Sequence, residues 1–285
     1  EEYMSEKQNE YPSVAYFSME YGLNDNINIY SGGLGILAGD YLKEASDSHV
    51  NMTAVGFLYK KGYFTQQLTL NGEQVVYLED QNFNNIPVIP VKDKDGNLLL
   101  INVFMPGRAV KLRVWLINVG RIKLYLLDSD LEDNNEIDRT ITHQLYGGDR
   151  ENRLRQEVVL GFGSIRLLNA LGIECDVYHL NEGHASFTNL ERMCNLMENN
   201  HLSFEEALEV VRHSSLFTTH TPVPAGHDSF SEELMRMYIR HTPDRLKITW
   251  DQFMNLGRWV PGKHDEKFSM SILAVNTCQE VNGVS

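Results

Sequence analysis

Four stretches of this 285-residue chain combine residue types that could do chemistry. The first is Tyr30-Ser31-Gly32-Gly33-Leu34-Gly35, with three glycines in four residues ahead of a helix-like run. Backbone N–H groups there would be left bare, and a phosphate or sugar hydroxyl could approach them without meeting a Cβ. Ser31 is the expected cap of the helix. No Gly-Lys-Ser/Thr follows, which removes a P-loop. Gly33-Leu34-Gly35-Ile36-Leu37-Ala38 fits the G-x-G-x-x-A pattern. Its glycines nevertheless lie more than ten residues past the preceding strand, so the tight strand-turn-helix geometry is missing. A loop whose glycines serve only a turn and close helix packing accounts for the spacing equally well.

The second stretch is His179-Leu180-Asn181-Glu182-Gly183-His184. Its side chains are zinc-ligand types, but the H-x-x-E-H pattern needs adjacent Glu and His, and Gly183 intervenes. A hydrogen-bonded polar turn between strand and helix is favoured over a metal site. The third runs from Thr218 to Asp228 and contains Thr219-His220-Thr221-Pro222. Pro222 pushes Thr221 out of the α region, so His220 sits at a rigid strand exit suited to hydrogen-bonding a ligand. A buried histidine satisfied by neighbouring backbone is the competing reading. Ser186 has no G-x-S-x-G elbow around it, which leaves nucleophilic serine chemistry unsupported. The fourth stretch, Tyr146-Gly147-Gly148-Asp149-Arg150-Glu151-Asn152-Arg153-Leu154-Arg155, reads either as a solvated helix start capped by Asp149 or as a gate whose arginines reach an anion.

Elements must hold these residues in place. Apolar patterning predicts strands over 14–19, 50–59, 176–180 and 216–219, and helices over 36–46, 152–171, 183–195, 204–214 and 229–240. Gly172 is placed to end the long 152–171 helix, and Ser203 with Glu206 forms a capping box for 204–214. Between 56 and 128 the pattern changes to short strands and turns, with a hairpin over 111–118 and 121–127, as expected of an antiparallel excursion. Strands alternating with helices imply βαβ units, hence an α/β, Rossmann-like parallel sheet in a single domain. Ligands of such sheets bind beyond the carboxyl ends of the strands, where the glycine loop, the 179–184 turn and the 218–228 segment all fall.

Bulk properties exclude some partners. A formal net charge of −14 argues against nucleic acid and anionic membrane surfaces. Cys175, Cys194 and Cys278 have no metal-ligand spacing and suit reduced thiols in the cytoplasm. No apolar run approaches the length of a membrane helix, and the polar, acidic residues 1–13 are unlike a signal peptide. A start at Glu1 and a stop in Val281-Asn282-Gly283-Val284-Ser285 suggest a piece of a longer polypeptide.

Taken in order, Tyr16-Phe17-Ser18-Met19-Glu20-Tyr21, Ser31 to Asp40, Leu145-Tyr146-Gly147-Gly148-Asp149, His179 to His184, Thr219 to His227 and Phe268-Ser269-Met270-Ser271-Ile272-Leu273-Ala274 resemble the α-glucan (glycogen, starch, maltodextrin) phosphorylases. The likeness is strongest to their shorter bacterial and archaeal branch and spans about residue 14 to the end. It implies the two-lobed GT-B architecture of facing Rossmann-like domains, this chain being the N-terminal lobe. The implied reaction cleaves α-1,4-glucans with inorganic phosphate to α-glucose 1-phosphate, with retention. The implied cofactor is pyridoxal 5′-phosphate. Its phosphate would pass the proton, and its aldehyde would be tied up by a lysine of a C-terminal lobe that the sequence does not contain. By position, Gly32, Gly33 and Gly35 would lie against the cofactor phosphate and Leu34 against the glucosyl unit. His220 would hydrogen-bond the glucose, and Asp149 would act from a gating loop that is shorter than in the long members. Glu182 and His184 would line the sugar pocket, with Arg153 or Arg155 near the incoming phosphate. Segments matching the regulatory phosphorylation and nucleotide sites of the long animal enzymes are lacking. Implied partners are the missing lobe and a second copy of the chain. Two alternatives stay open. A glycogen or starch synthase lobe would carry Lys-x-Gly-Gly-Leu, and Tyr30 standing where that lysine belongs counts against it. A non-catalytic carbohydrate-binding domain is the other.

Overall fold

The computed structural model describes residues 11–284. The acidic start at 1–10 and the terminal Ser285 therefore lie outside the described residues. Continuous apolar runs form the first two strands, β1 (Val14–Phe17) and β2 (Met52–Phe57), which pair in parallel and are almost wholly buried. Such unbroken burial is what a sheet covered on both faces requires. The Gly33–Asp47 helix makes the crossover between them. A detached hairpin follows, β3 (Thr65–Leu68) with β4 (Gln74–Tyr77), and then β5 (Ile89–Pro90) and β6 (Leu100–Met105), both antiparallel to β7 (Arg108–Val119). The expected hairpin is present as β7 with β8 (Ile122–Asp128). It does not stand apart from the main fold, because β8 also pairs in parallel with β2 and extends the central sheet.

The chain then returns to the other side of β1 as β9 (Val177–Asn181), followed by β10 (Ser215–Thr219). A short antiparallel pair, β11 (Ser229–Phe230) with β12 (Phe268–Ser269), precedes β13 (Glu280–Gly283), which adds to β10 in parallel. The resulting nine-stranded sheet has the order β13-β10-β9-β1-β2-β8-β7-β5, with β6 on β7. It is mixed α/β and mostly parallel, consistent with a Rossmann-like lobe. Strand order reverses between β1 and β9, the kind of switch point at which α/β sheets open a crevice. Among the described residues, no helix is long and apolar enough to cross a membrane.

The long amphipathic run after residue 149 is helical with one interruption. Arg150–Val158 and Ser164–Leu171 are joined by a π-helical turn, Val159–Gly163. Such turns insert one residue without ending a helix, and periodicity does not reveal them. Gly172 ends the run at φ +66° as expected, and the Ser203–Glu206 capping box is present. The expected 229–240 helix is shorter, Glu232–Ile239 with Ser231 as its cap, because Ser229 and Phe230 are taken into β11.

Ser31 does not cap the Gly33–Asp47 helix. Gly32 holds the cap position without any side-chain hydrogen bond, and Ser31 is drawn instead to Glu20. Further along this helix, a Cβ on Gly39 would run into the backbone of Gly22, so only glycine lets the helix seat this closely on the chain after β1. Gly39→Ala is expected to cost about 1–3 kcal/mol by overpacking, read as a lowered urea midpoint at unchanged slope. An unchanged midpoint would mean that the helix retreats freely.

Candidate active site

A buried charged residue three positions past an apolar strand needs partners, and Glu20 has two. It is 2% exposed. Its Oε2 accepts from the Ser31 N–H at 2.7 Å and Oγ at 3.3 Å, while Oε1 accepts the Tyr146 hydroxyl at 2.5 Å. One buried carboxylate thus fastens the glycine loop on one side and the 145–149 loop on the other. Gly35 is part of this fastening, since a Cβ there would lie 2.7 Å from Glu20 Oε2 and 2.5 Å from Tyr30 Cβ. At Gly32 and Gly33 a Cβ would meet nothing within 4 Å.

The exit of β9 is strained. Glu182 has φ +71° and ψ 169°, a region normally left to glycine, and its amide donates to the Thr218 carbonyl at 2.9 Å. Its Oε1 accepts the His220 amide. Burial raises the Glu182 pKa, and the His220 N–H opposes that rise. His184 follows in a 3₁₀ turn, Gly183–Ala185, with Nδ1 2.9 Å from Arg153 Nη2. A guanidinium only donates, so Nδ1 is the bare nitrogen and the ring proton sits on Nε2. Burial, reinforced by the Arg153 charge, pushes His184 down to about 3.

Arg153 is the hub of the buried charges. Its Nε donates to Asp228 Oδ2 at 2.8 Å and Nη1 to Met19 Sδ at 2.7 Å, and the guanidinium stacks 4.6 Å from the Tyr146 ring centroid. Burial works against its charge, but Asp228 and Glu157 outweigh burial and hold it protonated. Asp228 in turn stays below the usual carboxylate range in spite of burial, because Arg153 faces it. Fully buried Glu157, beside Asp228, is pushed well upward by burial first and that neighbour second.

At the exit of β10, His220 Nε2 lies 2.5 Å from Asn181 Oδ1, and burial lowers its pKa. The loop beyond is stapled by His227, whose Nε2 donates to the Thr221 carbonyl at 2.7 Å while Nδ1 accepts from Ser271 Oγ at 2.8 Å. Between the three strand exits opens a cleft of about 670 Å³.

Comparison with known proteins finds relatives along nearly the whole chain. No family model matches the chain. Over 95% of its length the chain is 45% identical to the maltodextrin phosphorylase of Thermococcus litoralis, 41% to the glycogen phosphorylase of Mycobacterium tuberculosis and 38% to that of Aquifex aeolicus. It spans 32%, 33% and 39% of those proteins, about a third of their length. By sequence, the chain is similar to about a third of each of these α-glucan phosphorylases.

In this phosphorylase relative, six expected site residues face the one cleft: Leu34, Asp149, Arg153, Glu182, His184 and His220. Gly32 and Gly33 lie exposed beside Leu34, whereas Gly35 is buried behind it. Asp149 also caps its helix, accepting the Asn152 N–H at 2.8 Å. Arg155 does not reach the cleft. It lies two residues past Arg153, roughly 200° around the helix, and donates to the Tyr238 hydroxyl at 2.7 Å and to Glu151 at 2.6 Å. His179 also points away, its Nε2 2.7 Å from Thr218 Oγ1 and its ring packed edge-on to Tyr16 and Tyr41. Sequence reasoning missed Arg150 and Asp228, which line the cleft as a pair 3.3 Å apart, and the linking role of Glu20. A carboxylate placed three positions past a buried strand was the available signal for Glu20.

Because the folded pKa of His184 lies below its unfolded value, stability from its neutral form is present above about pH 6.5 and is lost as pH falls toward the folded pKa of about 3. His184→Asn keeps an acceptor for Arg153 and removes the titration. The variant is expected to lose less unfolding free energy than the parent between pH 6.5 and 5, by up to about 1.4 kcal/mol per unit. Parallel stability profiles in urea titrations at both pH values would refute it.

Proposed function

We propose that the intact protein is an α-1,4-glucan phosphorylase and that this chain supplies the N-terminal half of its GT-B cleft. The single observation that carries the reading is the convergence of the uncapped glycine turn and His220 on one cleft at the β1/β9 switch point. Homology over nearly the whole chain supports it.

Pyridoxal phosphate fits the residues present. Gly32 and Gly33 leave their backbone uncovered, a Cβ at either meeting nothing within 4 Å, at a helix start with no side-chain cap, where an anion is favoured. Gly32, Gly33 and the amide of Gly35 would hold the phosphate end of the group. When bound, the cofactor would supply a phosphate for proton transfer to inorganic phosphate. Main-chain amides neutralise charge there without adding a competing titratable group. Leu34 would pack on the glucosyl unit, and His220 with Glu182 would hydrogen-bond its hydroxyls. Arg153, held charged inside the protein, would raise the local potential for the incoming phosphate. Asp149, at the tip of the 145–149 loop, would act as the gate from its capping position. Cytoplasmic residence suits the three free thiols, of which Cys194 and Cys278 are buried. A missing C-terminal lobe and a second copy of the chain are the expected protein partners.

The intact protein is expected to release glucose 1-phosphate from maltodextrin and inorganic phosphate, and this 285-residue segment alone to release none. Turnover of a nucleotide-sugar donor in place of phosphorolysis would favour the synthase reading. Saccharide binding without either turnover would favour the binding-domain reading. In the intact protein, His220→Ala is expected to lower kcat about 100-fold or more while its thermal midpoint barely moves. Matching losses of stability and rate would make His220 a structural histidine.

A further inference from the structure

Neighbouring strand ends carry a chain of hydrogen bonds whose direction is dictated from one end. The Ser18 hydroxyl donates its only proton to the Glu20 carbonyl at 2.9 Å, and a carbonyl can only accept. Ser18 Oγ therefore meets Asn181 Nδ2, 3.0 Å away, as an acceptor. That fixes the Asn181 amide with Oδ1 turned to His220 Nε2 at 2.5 Å. Ser18 is fully buried and Asn181 is 1% exposed, so water does not compete for these bonds. The register that pairs Phe17 with Leu180 sets the two side chains next to each other, Ser18 one residue past β1 and Asn181 at the end of β9.

We propose that Ser18 and Asn181 are positioning residues that dictate which nitrogen of His220 carries its proton. An acceptor facing Nε2 requires Nε2–H, so in the neutral ring Nδ1 is the unprotonated nitrogen. The inference rests on the functional reading only in giving this tautomer a role in the sugar site. Removing the Ser18 hydroxyl frees the Asn181 amide to rotate, and the competing Nδ1–H form then becomes accessible.

Long-range proton–nitrogen correlation spectra of the chain labelled at histidine nitrogens test this at pH 7.5, with the His220 signals identified by their loss in His220→Gln. The parent is expected to show the Nε2–H pattern. Ser18→Ala is expected to raise the Nδ1–H fraction about fivefold, the shift that follows loss of one neutral hydrogen bond. Asn181→Asp presents acceptors only, so it is expected to keep Nε2 protonated, and it serves where Ser18→Ala fails to fold by circular dichroism. A dominant Nδ1–H form in the parent overturns the proposal, as does an unchanged ratio in folded Ser18→Ala or an Nδ1–H form in Asn181→Asp. The readout needs no turnover. An intact protein without phosphorolysis would therefore sink the functional reading and leave this one standing, and the wrong tautomer would do the reverse.

Discussion

The in-register parallel pairing of β1, β9 and β10 is the constraint on which the site depends. Phe17, Leu180 and Phe217 stand level across the three strands and are buried together. Each buried side chain of this size contributes about 1.5–3 kcal/mol, and a slip of one residue would turn the whole set to the opposite face. With that register held, Ser18, Asn181 and Thr218 follow in a second row, and the three exits begin at the same height. One exit leads to Glu20 and the glycine loop, the next to Glu182, and the third to His220. The cleft is the space left where these exits diverge.

Loops that leave a sheet this way need tethers, and here the tethers are polar and buried. Glu20 ties two loops with its two oxygens, and His227 ties the third to the Met270–Thr277 helix through Ser271. Arg153, Asp228, Glu157 and His184 form a further cluster, in which removing any one member would leave a charge or donor stranded away from water. Buried charge clusters add little to stability over a well-packed apolar core. Their value lies in holding groups at set distances, as the positive φ of Glu182 also shows. A non-glycine residue stays in that region only when its surroundings over-determine it. The Thr218 carbonyl on the Glu182 amide and the His220 amide on its carboxylate supply that over-determination.

Much of this was legible in the sequence because the signals are local. Unbroken apolar runs marked β1, β2, β9 and β10, Gly172 marked a helix end, and Ser203 with Glu206 marked a helix start. What stayed hidden depends on contacts between distant residues. Ser31 has the right chemistry for a cap, but a buried carboxylate 11 residues earlier outcompetes the helix for it. The π turn at Val159–Gly163 is invisible to a 3.6-residue period. Gly161 within it allows Phe187 of the following helix to pack against the backbone. The merging of β8 into the parallel sheet follows from its pairing with β2, which no window of sequence contains. Arg153 and Arg155 were equivalent in composition, and only the helical phase set by Asp149 separates them.

Electrostatics then decides what the cleft can accept. The whole chain carries −14, so its mean field repels an anion. Within the cleft, Arg150 and Arg153 face Asp149, Asp228, Glu182 and the adjoining Glu157, and full ionisation would leave the site negative as well. Burial works against that charge, since it pulls the pKa of Glu157 well upward and that of Glu182 upward, while Arg153 stays protonated. The exposed Gly32 and Gly33, at a helix start with no side-chain cap, add the positive end of a fixed dipole. Desolvation of two glutamates thus works in the same direction as additional arginines would, without placing more cations against the buried Arg153.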